Sequence, residues 1–387
     1  MFPSPAFDIP AFTSLLGKRG TFARYRSRLH AKPEFANEFP VGVLADEILT
    51  AGQGQIKGMI TLAGNPVLSS PEGEKLDRAF ESLEFMVAVD IYINETTRHA
   101  DIILPTTLPL EKRHMDVVFP NVSVRNWLKY SDAVIEPPAG VKHDDEILTS
   151  LVSRLLSWPA RNRPLQFIIE KILRLLVPYG IIRLAIRFGK RGKRFNPFSK
   201  KLSFRNIKKA RHGIDLGPLE SQLPGRIFFK DKKIRLAPGI FLDDLARLKN
   251  VEKSDPAFNF QLIGRRQLKT NNSWMHNLPN LVKDKDLCTA LIHPDDAAKL
   301  KITLPSPVRV TSKTGSIEIT AEESDEVMQG VISIPHGFGH NREGTRLAYA
   351  EKRPGANYNE LADTGNVDEL VGTSVLNGIA VKIERIN

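Results

Sequence analysis

The sequence predicts an α/β plus β chain: a partial parallel-sheet α/β region followed by a small β-barrel. Three observations carry this. Between residues 56 and 104, short apolar runs of strand length alternate with a stretch of helical periodicity. From residue 257 onward, short β-branched runs recur between Gly, Pro and Asp turns. Between these regions lies a block of different composition: residues 161–211 hold sixteen Lys/Arg against the single acid Glu170.

The elements follow in order. Residues 1–40 are rich in Pro, Phe and Arg and show weak periodicity, so no element is assigned there. Residues 43–49 read as a short helix. Residues 56–62 read as a strand that ends in the turn Ala63-Gly64-Asn65-Pro66. Residues 72–82 read as a helix, with Leu76, Ala79, Phe80 and Leu83 on one face. Residues 85–89 form an apolar strand closing on Asp90, and 101–104 form another before Pro105-Thr106-Thr107. Apolar strands of this kind suit a sheet buried on both faces. Residues 144–157 read as a helix. Residues 165–188 are apolar with spaced Lys/Arg, broken at Pro178-Tyr179-Gly180. Residues 189–212 read as a basic loop, and a helix closes near 242–248. In the last region, 260–263 is a strand. His293-Pro294-Asp295-Asp296 opens a helix with Pro and acids in its first turn. Residues 308–311 and 317–321 flank Lys313-Thr314-Gly315 as a hairpin. Further strands fall at 331–334 and 379–383. The domain boundaries expected from this pattern are 1–160, 161–256 and 257–387.

Composition narrows the function. The chain has 387 residues, 41% hydrophobic, with a formal net charge of +11. The basic block alone carries +15, so the remainder is net acidic and a general nucleic-acid binder is disfavoured. A single cysteine, Cys288, excludes an internal disulfide framework, a CxxC zinc site and a four-thiolate iron–sulfur cluster made by this chain. Cys288 reads as a buried structural residue entering a strand rather than as a nucleophile. No signal peptide pattern or run of 18 uncharged apolar residues is present, and a cytoplasmic location is the expectation.

Four clusters carry chemistry. In parallel sheets, ligands sit beyond the carboxyl ends of the strands, where Gly64-Asn65-Pro66, the loop from Asp90 to Thr97, and Thr106 are expected to converge. Asp90 suits a ribose or guanine N–H edge, while Asn65, Thr96 and Thr106 suit phosphates or ring edges. The alternative is that these are ordinary turn residues. Gly264-Arg265-Arg266 suits a diphosphate, because the guanidinium fork matches phosphate oxygens. The polar run 271–277 that follows holds Trp274 and His276, and a long loop with a buried anchor Trp is the competing reading. His336-Gly337-Phe338-Gly339-His340 has its histidines four apart. The glycines argue against a helix, and no HExxH glutamate is present, so close backbone approach to a ligand is favoured over metal ligation. Asn357-Tyr358-Asn359 alone reads as a surface loop. No residue is assigned as catalytic or as a metal ligand.

Taken together, these residues resemble the C-terminal part of the molybdopterin oxidoreductases, the bis(molybdopterin guanine dinucleotide) enzymes that include formate dehydrogenases, nitrate reductases and dimethyl sulfoxide reductase. The stretches that carry the resemblance are TLAGNPVLSSP (61–71), VAVDIYINETTRHADIILPTTLPLEK (87–112), RHGIDLGPL (211–219), LIGRRQLKTNNSWMHNLP (262–279), HPDDAAKL (293–300), DEVMQGVISIPHGFGH (325–340) and NYNELADTGNVDELVG (357–372).

The resemblance implies that the barrel is of the double-psi type and that the cofactor is molybdopterin guanine dinucleotide with molybdenum. It implies that Asn65 and Pro66 lie at a pterin dinucleotide, and that Asp90, Glu95, Thr96 and Asp101 surround a guanosine. Gly264, Arg265, Arg266, Trp274 and His276 belong to one barrel loop along the cofactor. His336, Gly337 and His340 belong to a second, and Asn359 contacts pterin. The family's cysteine-rich motif and metal-ligand region are absent from this sequence, so no iron–sulfur cluster is expected. A truncated product, inactive alone, or one half of a split enzyme with a separately encoded N-terminal half is implied. Leu304-Pro305-Ser306-Pro307 departs from the family's usual Gly-Asp turn. The competing function is a non-enzymatic protein that meets a membrane surface or partner through 161–212.

Overall fold

A computed structural model of the chain describes residues 21–157, 163–196, 198–227, 229–248, 256–282 and 286–386. The expectations for residues 1–20, including the reading of the amino terminus, lie outside the described residues, as does Arg161. The described residues fall into two compact units. One takes those within Gly20–Leu104 and Glu252–Asn387, and the other those within Pro105–Val251.

The first unit begins with an antiparallel hairpin of β1 (Phe22–Arg26) and β2 (Pro33–Phe35). No strand is expected there from sequence. The side chains of β1 are mostly exposed, so its sequence lacks the alternation that marks a half-buried strand. The sheet that follows has the order β3 (Gly58–Leu62), β4 (Phe85–Asp90) and β5 (Ile102–Pro105). Strands β3 and β4 run parallel, in register from Gly58 against Phe85 to Leu62 against Val89. The helices Leu44–Leu49 and Gly73–Glu81 bury Ala45, Ile48, Leu76, Ala79 and Phe80 together with Val67 and Met86. Each fully buried aliphatic or aromatic side chain contributes about 1.5–3 kcal/mol relative to exposure.

The same unit holds the barrel. Its strands, in chain order, are Phe260–Arg265, Thr289–Ile292, Ser306–Thr311, Ser316–Glu323, Val331–Pro335 and Ile379–Arg385. They close into a six-stranded barrel. Phe260–Arg265 runs parallel to Val331–Pro335 and antiparallel to Ile379–Arg385. Thr289–Ile292 runs parallel to Ser316–Glu323, which forms the expected hairpin with Ser306–Thr311. Alternate residues point inward: Leu262, Ala290, Ile292, Val308, Val310, Ile332, Ile334 and Val381 are fully enclosed. Closure removes sheet edges that would otherwise expose unpaired backbone groups. The helix Pro294–Lys299 starts at His293, whose ring accepts a hydrogen bond from Asp295 N, as the Pro and acids foretell.

The second unit contains the basic block. Strand Asn126–Leu128 pairs with Ile214–Gly217, and His114–Met115 pairs with Tyr130–Ser131. Helices Asp144–Ser157, Arg163–Leu176, Tyr179–Phe188 and Gly239–Leu248 follow the expected pattern, including the break before Tyr179. The expectation of a loop throughout 189–212 is corrected by the helix Phe204–Lys209. Ser203 caps it by accepting from Asn206 N, and Ile207 is fully buried beside Ile182 and Ile186. A single inward Ile among Lys and Arg leaves no periodic signal to read. No helix of the described residues is long and apolar enough to cross a membrane.

Candidate functional site

Strands β3 and β4 end side by side, so the residues after them share one edge. Ala63 N donates to Val89 O, which fixes the start of the first loop against the end of β4. Asn65 precedes the short helix Pro66–Ser69, with Pro66 at its first position. Thr96 Oγ1 accepts from Val67 N and donates to Asn65 Oδ1 at 2.8 Å, which orients the amide. Asn65 Nδ2 then donates to Glu95 Oε2 at 2.7 Å.

Asp90 closes β4 and is buried. Its Oδ1 accepts from Ile91 N and Tyr92 N, and its Oδ2 accepts from Asn94 Nδ2. Burial raises its carboxyl above the ordinary value, opposed by those three donors. Asn94 Oδ1 accepts from Thr96 N and Thr97 N, so this one amide folds the whole loop. Asn94 is not singled out by sequence reading, although an Asn in a loop can accept from the N–H two residues on, as Asn94 does from Thr96 in an Asx turn.

Asp101 lies elsewhere: its carboxylate accepts from Met86 N, near the start of β4, at the opposite end of the strand from Asp90. Thr106 belongs to the second unit, where it forms an isolated parallel bridge with Lys142. Its hydroxyl is buried without a partner among the described residues.

The barrel loops approach the same edge. His340 is almost fully buried, and its Nδ1 lies 2.8 Å from Glu95 Oε1. Its Nε2 lies 2.8 Å from His276 Nδ1. The His276 ring stacks on Phe338, with centroids 4.0 Å apart. Burial first, and then neighbouring His340 and His336, push the His276 imidazole down to about 3. Gly337 has φ +95°, and a Cβ there would meet the Asn272 carbonyl carbon and oxygen at 2.6 Å. The expected close approach thus occurs, but toward the chain's own backbone. Asn277 Oδ1 accepts from Tyr349 N and Ala350 N, another tie with no local sequence signal.

Gly264 N donates to Asn377 Oδ1. The Arg265 fork is half-buried, with Nη1 donating to Ser333 O and Nη2 to Thr289 O. Burial lowers its guanidinium from the ordinary value. Arg266 is exposed, and its charge helps burial to lower the imidazole of His336. His336 Nδ1 lies 3.5 Å from Asn359 Nδ2. Asn359 is fully buried and not a surface residue: its Nδ2 donates to Leu68 O at 2.5 Å, while its Oδ1 has no partner among the described residues. Asn357 Nδ2 donates to Val67 O, so two amides pin the C-terminal loop to the helix that follows Asn65.

One cleft is lined by Asn65, Asp90, Asn94, Trp274 and His340, drawn from three of the sequence clusters. His336, Arg265 and Asn359 do not line it. Its free volume is about 20 Å³, room for a water molecule. Among the described residues no group of His, Cys, Asp and Glu is placed to hold a metal ion. Cys288 is buried, and burial pushes its thiol up to about 12.

Comparison with known proteins adds the family. Residues 260–380 match the molydopterin dinucleotide binding domain, and residues 16–154 match the molybdopterin oxidoreductase domain. Over 89% of its length the chain is 27% identical to the F420-dependent formate dehydrogenase subunit alpha of Methanocaldococcus jannaschii, covering 46% of that protein. It is also 27% identical to the assimilatory nitrate reductase catalytic subunit of Bacillus subtilis, over 76% of this chain and 39% of the relative. Acetylene hydratase from Pelobacter acetylenicus shares the fold, with a TM-score of 0.63 at 16% identity, over 89% of this chain and 46% of that one. The chain thus spans less than half the length of these relatives. The dinucleotide-binding match supports the expected cofactor, molybdopterin guanine dinucleotide with molybdenum. With the two matches in chain order across both the sheet and the barrel, the chain belongs to the molybdopterin oxidoreductase family.

Proposed function

We propose that this chain supplies part of the cofactor-binding surface of a molybdopterin-dependent oxidoreductase, at the cleft lined by Asn65, Asp90, Trp274 and His340. The observation that carries the reading is the meeting of a strand-end carboxylate with barrel-loop side chains at one edge, inside the regions that match the two family domains. The donor set fits a pterin guanine dinucleotide in kind. At the cleft Asp90 offers a desolvated carboxylate for a guanine N–H edge; outside it, Asn359 Oδ1 is a buried acceptor and Arg266 an exposed cation suited to phosphate. The free volume of about 20 Å³ admits only an edge of such a group, so the described residues form one wall of its site.

When bound, the cofactor supplies the redox chemistry, and the protein supplies position and electrostatics. Asp90 and Asn94 hold a recognition edge beyond the sheet. Trp274 covers the cleft from the barrel side, and Asn357 and Asn359 lock the loop of Asn65 in place. We further assign the barrel to the double-psi type, with the described residues supplying one part of the binding surface. The reading of the chain as a non-enzymatic basic binding protein has no support from the relatives.

The test is binding of molybdopterin guanine dinucleotide to the full chain, followed by pterin fluorescence. Loss of a hydrogen bond to a charged group costs about 1.5–3 kcal/mol, so Asp90→Ala should weaken binding roughly 10- to 100-fold. Unchanged affinity in Asp90→Ala, or no saturable binding by the wild-type chain in the presence of a complementing N-terminal half, would overturn the assignment.

A further inference from the structure

Three buried titratable side chains stand in hydrogen-bonded series: Glu95, His340 and His276, at 0%, 1% and 3% exposure. The remaining atoms of the series are accounted for as far as His276 Nε2. Thr96 fixes the Asn65 amide, Asn65 Nδ2 occupies Glu95 Oε2, and Glu95 Oε1 takes His340 Nδ1. His276 Nε2 is buried and makes no hydrogen bond of normal geometry among the described residues, although the Gly337 backbone stands close enough to the ring to oppose the lowering of its imidazole. His340 lines the cleft with Asn65 and Asp90, whereas His276 lines a second small cavity with Asp286, Tyr349 and Arg353.

We propose that Glu95, His340 and His276 form a one-proton relay joining the second cavity to the cleft, with His276 Nε2 as its entry point. The hydrogen-bond order admits only two kinds of proton arrangement. Without the extra proton, Glu95 is a carboxylate accepting from His340 Nδ1–H. His340 Nε2 then accepts from His276 Nδ1–H, and His276 Nε2 is a bare lone pair. When a proton arrives there, an N–H forms at His276 Nε2. The Nδ1 proton of His276 passes to His340 Nε2, and the charge is neutralised against Glu95, as an imidazolium–carboxylate pair or by transfer of the His340 Nδ1 proton to Glu95 Oε1. Only protons move, and no electron pair leaves the three residues.

Loading therefore changes two things at once. His276 Nε2 turns from acceptor to donor, and the wall of the cleft loses one negative charge. The other titratable or charged groups facing the series are His336 and Asp286, Tyr349 and Arg353 at the His276 end, and Asp90 and Tyr92 at the cleft end. The role of the cleft as a cofactor wall rests on the proposed function, but the relay itself does not.

The experiment is long-range 1H–15N NMR of the histidine rings in the 15N-labelled full chain across a pH series. In the wild type, His276 and His340 should change protonation in one shared step, with His276 Nε2 bare above it and carrying a proton below it. Glu95→Gln keeps an acceptor for His340 Nδ1–H but removes the counter-charge, and should hold His276 Nε2 bare through the range. Rings that titrate independently, or a Glu95→Gln profile identical to wild type, would overturn the relay. Should Glu95→Gln not fold, His340→Gln gives the same decision, because it must uncouple His276 from pH in that range. No cofactor is needed for these readings. A chain that shows the shared step but binds no dinucleotide keeps the relay and refutes the proposed function; the reverse result refutes the relay alone.

Discussion

His340 Nδ1 sits 2.8 Å from Glu95 Oε1, joining a barrel loop to a sheet-end loop that lies 245 positions earlier. Neither side chain has appreciable contact with water. Such a pair adds little over a well-packed apolar pair, but losing one partner strands the other in a low-dielectric interior. His340→Ala should therefore destabilise its unit by roughly 3–5 kcal/mol, read as a lowered denaturant midpoint. A loss below about 1 kcal/mol, the range of exposed pairs, would mean that the two loops separate and let water reach Glu95.

Gly337 should tolerate no side chain. Its φ of +95° is unfavourable to any L-residue, and a Cβ would meet Asn272 backbone at 2.6 Å. Gly337→Ala should cost at least about 1–3 kcal/mol and displace the 271–277 loop that carries Trp274 and His276. Intrinsic Trp fluorescence, read together with thermal unfolding, checks both effects. Gly330, also at positive φ but with nothing within 4 Å of its would-be Cβ, is the control in which only backbone strain is felt.

Much of the fold was legible because burial leaves a period in the sequence. Strand β4 is an apolar run ended by Asp90, and the hairpin of Ser306–Thr311 with Ser316–Glu323 alternates around a Gly turn. The β1 hairpin and the helix Phe204–Lys209 were not legible, since one is largely exposed and the other buries a single Ile207. The site was legible in kind more than in geometry. Asp90 and the 336–340 loop could be picked out, but the partners of Glu95 and Asn359 are set by folding and not by local spacing. Arg265 shows the limit most plainly. A guanidinium after a strand suggests an anion, yet its fork is taken by the carbonyls of Thr289 and Ser333.

Cys288 should be chemically silent in the folded chain. Burial drives its thiol up to about 12, so it stays protonated from pH 7 to 9, and the thiolate is the reactive form. A thiol reagent should label it only after unfolding, with no rise in native labelling across that pH range. Fast native labelling that increases with pH would place Cys288 at the surface.

Asp77 should govern part of the acid sensitivity. Burial alone would raise its carboxyl, but hydrogen bonds from His99 and Arg98 and the charges of Arg342 and Arg98 hold it down to about 2, against an ordinary 3.8. Arg98 donates to both of its oxygens, at 2.8 and 2.7 Å, and Arg342 bridges it to Glu360 at the barrel. A carboxyl depressed in the folded state contributes stability that is complete above the unfolded value and fades as pH falls through the folded one. The window is therefore from about pH 4 down to about pH 2, and the contribution at neutral pH is about 2 kcal/mol. Asp77→Asn should remove this contribution at pH 7 and flatten the loss of stability between pH 4 and 2, while leaving Arg98 and Arg342 without their anion. Denaturant unfolding of both proteins at pH 7, 4 and 3 measures it: the difference in stability should shrink as pH falls. A difference that holds constant from pH 7 to 3 would mean that the network is held by packing of the arginine stems and not by the Asp77 charge.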